Sequence, residues 1–125
     1  MKDTISHLHG LCKDWLRELD FYKSEIPFLK GRLDEVASKN TSKDIQAQVD
    51  HFENRFYIMN NHLDELLHDV KLKEESLLET AATQPKYINV KMIETDDNLE
   101  DLMDFTASDF KNTKKEFYQF LSKYL

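Results

Sequence analysis

The chain has 125 residues, of which 40% are hydrophobic and 33% are charged, and its formal net charge is −7. This length and composition are typical of one globular domain and exclude an intrinsically disordered chain. The negative charge argues against binding to nucleic acid, which depends on neutralising phosphates, and against binding to an anionic membrane surface.

The N-terminal residues lack the apolar core of a signal peptide, and no apolar run approaches the roughly 20 residues of a membrane-spanning helix. The single cysteine, Cys12, has no second cysteine with which to form an internal disulfide. We therefore expect an intracellular, cytoplasmic protein. Only two glycines and two prolines occur, and this shortage of turn residues favours a few long helices over strands.

The first predicted helix covers about residues 3–38. Its apolar residues recur at alternating steps of three and four, which is the spacing of heptad positions a and d. They are Ile5, Leu8, Cys12, Trp15, Leu19, Tyr22, Ile26, Leu29, Leu33 and Val36. Pro27 lies at the outward position b and leaves the repeat unchanged, so we expect a kink within one helix. Two shorter helices, the second capped by Ser24, are the alternative.

The second predicted helix, about residues 41–82, has an equally regular repeat. Its a and d positions hold Ile45, Val49, Phe52, Phe56, Met59, Leu63, Leu66 and Val70. Thr41 and Asp44 form a variant capping box at its start. The repeat weakens at Lys73, the next d position, and Pro85 lies just past the end, as expected of a helix stop.

The third predicted helix covers about residues 90–124, with an acidic first half and a basic second half that suit the helix dipole. Its a and d positions hold Leu99, Met103, Thr106, Phe110, Thr113, Phe117, Phe120 and Tyr124. The preceding segment, Lys86–Val90, has two readings. It is either a short extended segment, or it leads directly into the helix with Asn89 as the cap.

Three long helices joined by short connections pack most simply up-down-up. We therefore predict an all-α fold, an elongated up-down-up three-helix bundle with coiled-coil (heptad) packing. The whole chain, residues 1–125, would form a single helical-bundle domain.

The histidines are the first candidates for chemistry. Glu65 and His68 form one Glu-x-x-His pair, but both lie at outward positions, and di-iron bundles need two inward pairs. His62 lies beside the core, with Asp69 one heptad further along the same edge. We favour a hydrogen bond from His62 to a neighbouring helix. A metal- or small-ligand-binding bundle using His62 and Asp69, or Glu65 and His68, is the alternative function.

No catalytic constellation or phosphate-binding loop can be recognised. Cys12 occupies an inward a position, where a cysteine usually behaves as a small hydrophobe. Gly10 and Gly31 stand alone rather than in a glycine-rich loop. We therefore predict a protein that is not an enzyme and has no cofactor.

Several large apolar residues fall outside positions a and d. The predicted interaction surface consists of Phe21, Phe28, Tyr57, Ile58 and Leu72. A core wider than the a and d positions would explain these residues equally well. If they instead form a second buried surface, the function is that of a protein–protein interaction or scaffold module. Its partner would be a second copy in a homodimer, or another helical protein.

Overall fold

The computed structural model contains three α-helices: α1 (Lys2–Lys39), α2 (Lys43–Thr83) and α3 (Val90–Tyr124). It describes the backbone of residues 2–83 and 90–125, and the side chains of residues 6–83 and 98–125. No strand occurs within this described backbone, so the predicted all-α fold with three helices is confirmed. The two readings of residues 86–89 fall outside the described residues.

Helix α1 continues through Pro27 without interruption, so the alternative of two shorter helices is wrong. Pro27 is exposed, while the neighbouring Ile26 and Leu29 are almost completely buried. A proline on the outer face removes one backbone hydrogen bond but leaves the buried face of the helix intact. Ser24, the alternative cap, donates a hydrogen bond to the Phe21 carbonyl at 2.7 Å within the same helix.

Helix α2 is capped by Ser42. The backbone N–H of Ile45 donates to Ser42 Oγ at 3.3 Å, and α2 begins at Lys43. A side chain directly before the first helical residue is the one placed to accept this bond. The cap is therefore Ser42 and not the predicted Thr41, and its partner at the third helical position is the backbone N–H of Ile45 rather than a reciprocal capping box.

The connection between α1 and α2 is held by two amide side chains. Asn40 Nδ2 donates to the Val36 carbonyl at 2.9 Å and lies 3.5 Å from the Tyr124 carbonyl at the end of α3. Gln46 Nε2 donates to the Asn40 carbonyl at 2.6 Å. The Val36 carbonyl also accepts the Asn40 backbone N–H at 3.1 Å, so the two amide side chains reinforce the end of α1 and tie it to the first turn of α2.

The core is one continuous cluster along the three helices. Every described a and d residue predicted from the sequence is buried, except Ile45 and Tyr124, which are half-buried at one end. Phe56 and Phe117 are among the largest of the fully buried side chains. Lys73, which interrupts the repeat, is also buried, at 7% exposure.

Four phenylalanines pack together near one end of α2 and α3. The ring of Phe117 lies 5.2 Å from that of Phe52 and 5.1 Å from that of Phe56, between centroids and close to edge-on. The Phe52 and Phe120 rings are 5.1 Å apart. Tilted and edge-on aromatic pairs at these distances stabilise a core beyond the area that they bury.

Helices α1 and α2 approach each other most closely, and α3 contacts both. Within the described residues, no helix combines the length and the apolar character needed to cross a bilayer.

Candidate interaction surface

All five residues of the predicted interaction surface are exposed. The exposed fractions of Phe21, Phe28, Tyr57, Ile58 and Leu72 lie between 50% and 63%. At least half of each residue is therefore available for contact, and the interpretation that they widen the core is wrong. Isolated exposed apolar residues are common, so their positions relative to one another decide whether they form a surface.

Phe21 and Phe28 lie along the edge of α1 that faces α3. Glu25 is four residues after Phe21 and three before Phe28, and this spacing puts the three on one helix face. Glu25 Oε2 accepts a hydrogen bond from Lys114 Nζ of α3 at 3.0 Å. The same ammonium lies 5.6 Å from the centre of the exposed Tyr118 ring. Two aromatic side chains of α1 and one of α3 therefore border the groove between these helices.

Ile58 lies along the edge of α2 that faces α3. It is three residues after Arg55 and four before His62, so the three share a face. Arg55 and His62 both contact α3: the Arg55 guanidinium donates to Thr113 Oγ1, and His62 Nε2 lies 2.9 Å from Thr106 Oγ1.

Leu72 lies further along the same edge of α2. It lines a shallow hollow together with Asn98 and Leu99 of α3. Between Ile58 and Leu72, the ring of the exposed Phe105 of α3 meets the His62 ring edge-on, 6.3 Å between centroids. The groove between α2 and α3 is therefore also bordered by exposed apolar side chains.

Tyr57 lies on a different side of the molecule. It lines a hollow with Lys30 and Asp34, between α2 and α1. The exposed Leu78 lies on the same side, because it is four residues after Glu74, whose carboxylate is 3.8 Å from His9 Nε2 of α1.

The predicted residues thus divide into a group of four and a single outlier. The group borders α3, and further exposed apolar residues of α3 itself extend it. We use the name "α3 surface" for Phe21, Phe28, Ile58, Leu72, Leu102, Phe105 and Tyr118. The register places Tyr57 at position b and Ile58 and Leu72 at position c, which point in different directions, but it does not show which helix lies beside each of these positions.

Beneath the α3 surface, two polar pairs join α2 to α3. Arg55 and His62 are one heptad apart on α2, and their partners Thr113 and Thr106 are one heptad apart on α3. Both threonines are almost completely buried. The hydrogen bond between His62 and a neighbouring helix is the one that we favoured from the sequence, and it is confirmed.

The Thr106 hydroxyl also defines which nitrogen of His62 carries hydrogen. Thr106 Oγ1 donates to the Leu102 carbonyl at 2.7 Å. Its hydrogen is used in that bond, so towards His62 it acts as an acceptor, and we assign the hydrogen of the His62–Thr106 contact to His62 Nε2. A histidine in this state contributes an ordinary structural hydrogen bond.

The Arg55 side chain makes further contacts at the same place. Its guanidinium lies 3.6 Å from a carboxylate oxygen of Asp109 and 3.8 Å from one of Glu116. The Arg55 side chain is one-third exposed, so solvent screens both ion pairs. The main effect of Arg55 is therefore its hydrogen bond to the buried threonine.

The candidate ligand-binding residues lie apart from any metal-binding arrangement. Glu65, His68 and Asp69 are exposed. Among side chains 6–83 and 98–125, no three histidine, cysteine, aspartate or glutamate residues are grouped as metal ligands would be. Cys12 is buried at 1% exposure.

Tyr22 has the one clear pKa shift among the described side chains. Burial raises the pKa of its phenol, and the hydrogen bond to Glu18 Oε1, at 2.5 Å, together with the charge of that carboxylate, raises it further. The Tyr22 ring packs against Phe110 of α3, 4.5 Å between centroids. A tyrosine that is held neutral in this way is suited to packing and not to acid–base catalysis near neutral pH.

Comparisons with protein-family models, with curated proteins and with solved structures found no match.

Proposed function

We propose that the three helices form an up-down-up bundle with heptad packing. The contacts between α1 and α2 support opposite directions for these helices. Near the start of α1, His9 meets Glu74, which lies towards the end of α2. Near the end of α1, the Ala37 carbonyl accepts a hydrogen bond from Gln46, in the first turn of α2.

The contacts of α3 support the same topology. The residue numbers of the α2–α3 pairs run in opposite senses, since Arg55 meets Thr113 whereas His62 meets the earlier Thr106. The α1–α3 pairs run in the same sense, from Tyr22–Phe110 to Asn40–Tyr124.

The ion pairs beside the core support the heptad packing. Antiparallel coiled-coil helices meet through e–e or g–g positions, and parallel helices meet through g–e positions. In the predicted registers, four inter-helix contacts among the described side chains have the required letters: His9–Glu74 (e–e), Arg55–Asp109 and Arg55–Glu116 (both g–g), and Glu25–Lys114 (g–e). Lys23–Asp64 departs from the rule, because it joins position e of α1 to position b of α2.

We further propose that the protein is a non-enzymatic interaction module, which associates with a second copy of itself through the α3 surface. The observation that carries this proposal is the concentration of large exposed apolar side chains along α3 and the two grooves beside it. Large exposed apolar side chains gathered on one side of a small protein are typical of a contact region. A second copy is the favoured partner because two-fold dimers are the commonest oligomers.

Sedimentation velocity over a concentration series tests this function. The double variant Phe21→Ser, Phe105→Ser removes two aromatic rings from opposite flanks of α3. We expect it to weaken self-association at least about tenfold, because each ring supplies on the order of 1 kcal/mol or more when it is covered.

The chain offers a matched control on its other side. The double variant Tyr57→Ser, Leu78→Ser removes two equally exposed apolar side chains next to α1. It should leave the dissociation constant unchanged. A wild-type protein that stays monomeric at every concentration would contradict the proposed self-association. Equal weakening by the control pair would contradict the role of the α3 surface.

A further inference from the structure

The outer face of α3 carries four charged residues without a partner in the described part of the chain. Asp101 and Asp104 lie in the first half of the helix, and Lys111 and Lys115 lie in the second half. All four are exposed. Neither a hydrogen bond nor an ion pair connects any of them to another residue among side chains 6–83 and 98–125.

These charges are arranged almost symmetrically about one small residue: Ser108 is the midpoint of Asp101 and Lys115, and the midpoint of Asp104 and Lys111 falls half a residue before it. With Met103 and Phe110 at buried a positions, Asp101, Ser108 and Lys115 fall at the outermost position f. Asp104 and Lys111 fall at the adjacent position b. Ser108 is exposed and lies midway between the acidic and the basic residues. Along this face of α3, acidic side chains are therefore followed by Ser108 and then by basic side chains.

We propose that this face binds the same face of a second copy, with the two α3 helices antiparallel and a two-fold axis at Ser108. This proposal rests on the self-association proposed above and adds its geometry. Asp101 pairs with Lys115 of the second copy, and Asp104 pairs with Lys111 of the second copy. Symmetry makes each pair occur twice, so the interface contains four ion pairs and is locally neutral.

The charges permit only this direction. In a parallel arrangement Asp101 would face Asp101, and Lys115 would face Lys115, so every pair would be repulsive. In the antiparallel arrangement, f positions meet f positions and b positions meet b positions, and the centres of the two kinds of pair differ by only half a residue, about 0.75 Å along the helix. The small Ser108 side chain at the axis lets the two helices approach closely.

The apolar part of the contact comes from the edges of the same face. Phe105, at position c, and Tyr118, at position b, are exposed and belong to the α3 surface. Exposed ion pairs contribute little affinity individually, whereas they set orientation and exclude wrong registers. The four ion pairs therefore fix the direction of the helices, and the aromatic rings supply most of the affinity.

Two charge-reversal variants test this geometry. An all-positive variant carries Asp101→Lys and Asp104→Lys, and an all-negative variant carries Lys111→Glu and Lys115→Glu. Each variant turns all four proposed pairs into repulsive pairs. In sedimentation velocity at low salt, we expect each variant alone to self-associate at least about tenfold more weakly than wild type.

Mixing the two variants distinguishes this interface from any other effect of charge. In a mixed dimer every proposed pair again joins a positive to a negative side chain, so the equimolar mixture should recover wild-type affinity. A single chain carrying all four reversals should recover it as well. Circular dichroism of each variant verifies that the helices remain folded.

Matched controls carry the same change of charge elsewhere. Asp34→Lys with Asp50→Lys, and Lys13→Glu with Lys30→Glu, alter exposed residues of α1 and α2. These controls should change the dissociation constant less than threefold. The proposed interface would be overturned if the charge reversals on α3 left the dissociation constant unchanged, or if the weakened affinity did not recover when the two variants were mixed. Either result would leave self-association itself standing. A wild-type protein that never associates would overturn both proposals.

Discussion

The pairing of Arg55 with Thr113 makes a quantitative prediction about the stability of the fold. In the variant Arg55→Met, the Thr113 hydroxyl, at 1% exposure, loses its guanidinium partner in the core. A buried hydroxyl without a partner costs about 1–3 kcal/mol. The ion pairs that Arg55 also loses contribute less than about 1 kcal/mol each, because the side chain is one-third exposed. We expect a loss of about 2 kcal/mol in the free energy of unfolding.

A double-mutant cycle separates the pair from its surroundings. The variant Thr113→Val keeps the shape of the side chain and removes the hydroxyl. When Arg55→Met is added to Thr113→Val, no buried hydroxyl is left without a partner at this position. The double variant should be at least about 0.5 kcal/mol more stable than the sum of the single losses indicates.

Urea unfolding followed by circular dichroism gives each of these free energies. The unfolding slope should stay constant across the four proteins, as required for comparing them as two-state systems. Strictly additive losses would refute the reasoning, because they would mean that the arginine and the threonine stabilise the fold independently.

Three further changes have clear expected outcomes. Gly31→Ala should raise the free energy of unfolding by roughly 1 kcal/mol, because Gly31 is an exposed mid-helix glycine and an added Cβ meets nothing within 4 Å. Thermal or urea unfolding measures this change, and a loss of stability would contradict the prediction. Ser42→Ala should lower it by about 1 kcal/mol through loss of the α2 cap, whereas Thr41→Ala should have little effect. The stability advantage of wild type over Tyr22→Phe should shrink above about pH 10, by up to roughly 1.4 kcal/mol per pH unit. The pKa of Tyr22 is raised in the folded protein, so the unfolded chain releases this proton first and rising pH favours unfolding; an advantage that stays constant in urea titrations at pH 8, 10 and 11 would refute the shift.

The buried face of each helix could be predicted because it depends on local spacing alone. Residues three and four apart share a helix face whatever lies opposite them, so Leu19, Leu63 and Phe117 could be assigned to the core. Leu67 and Leu121 are also buried, although both lie at position e. Whether an e residue is covered depends on the size of the side chain across the interface, which spacing does not reveal.

The candidate site could be predicted only in part, because it depends on which helix lies beside which. The exposure of Phe21, Phe28, Ile58 and Leu72 follows from their register. Their common position around α3 follows from the arrangement of the helices, whereas the different direction of Tyr57 from Ile58 and Leu72 follows from their positions b and c in the register. The partners of Thr106 and Thr113 depend in addition on the axial offset between α2 and α3, since a shift of one heptad would give each threonine a different neighbour.

The phenylalanine cluster described above has a consequence for how the molecule comes apart. Aromatic packing is unequal along the helices, because four phenylalanine rings gather where Phe52 meets Phe117, whereas at the other end of the described core Trp15 lies among smaller side chains such as Cys12 and Val70. Thermal unfolding should therefore begin at the end of the helices that contains Cys12 and proceed towards the phenylalanine cluster. Backbone amides around Phe56 should be the last to exchange their hydrogens with deuterated solvent.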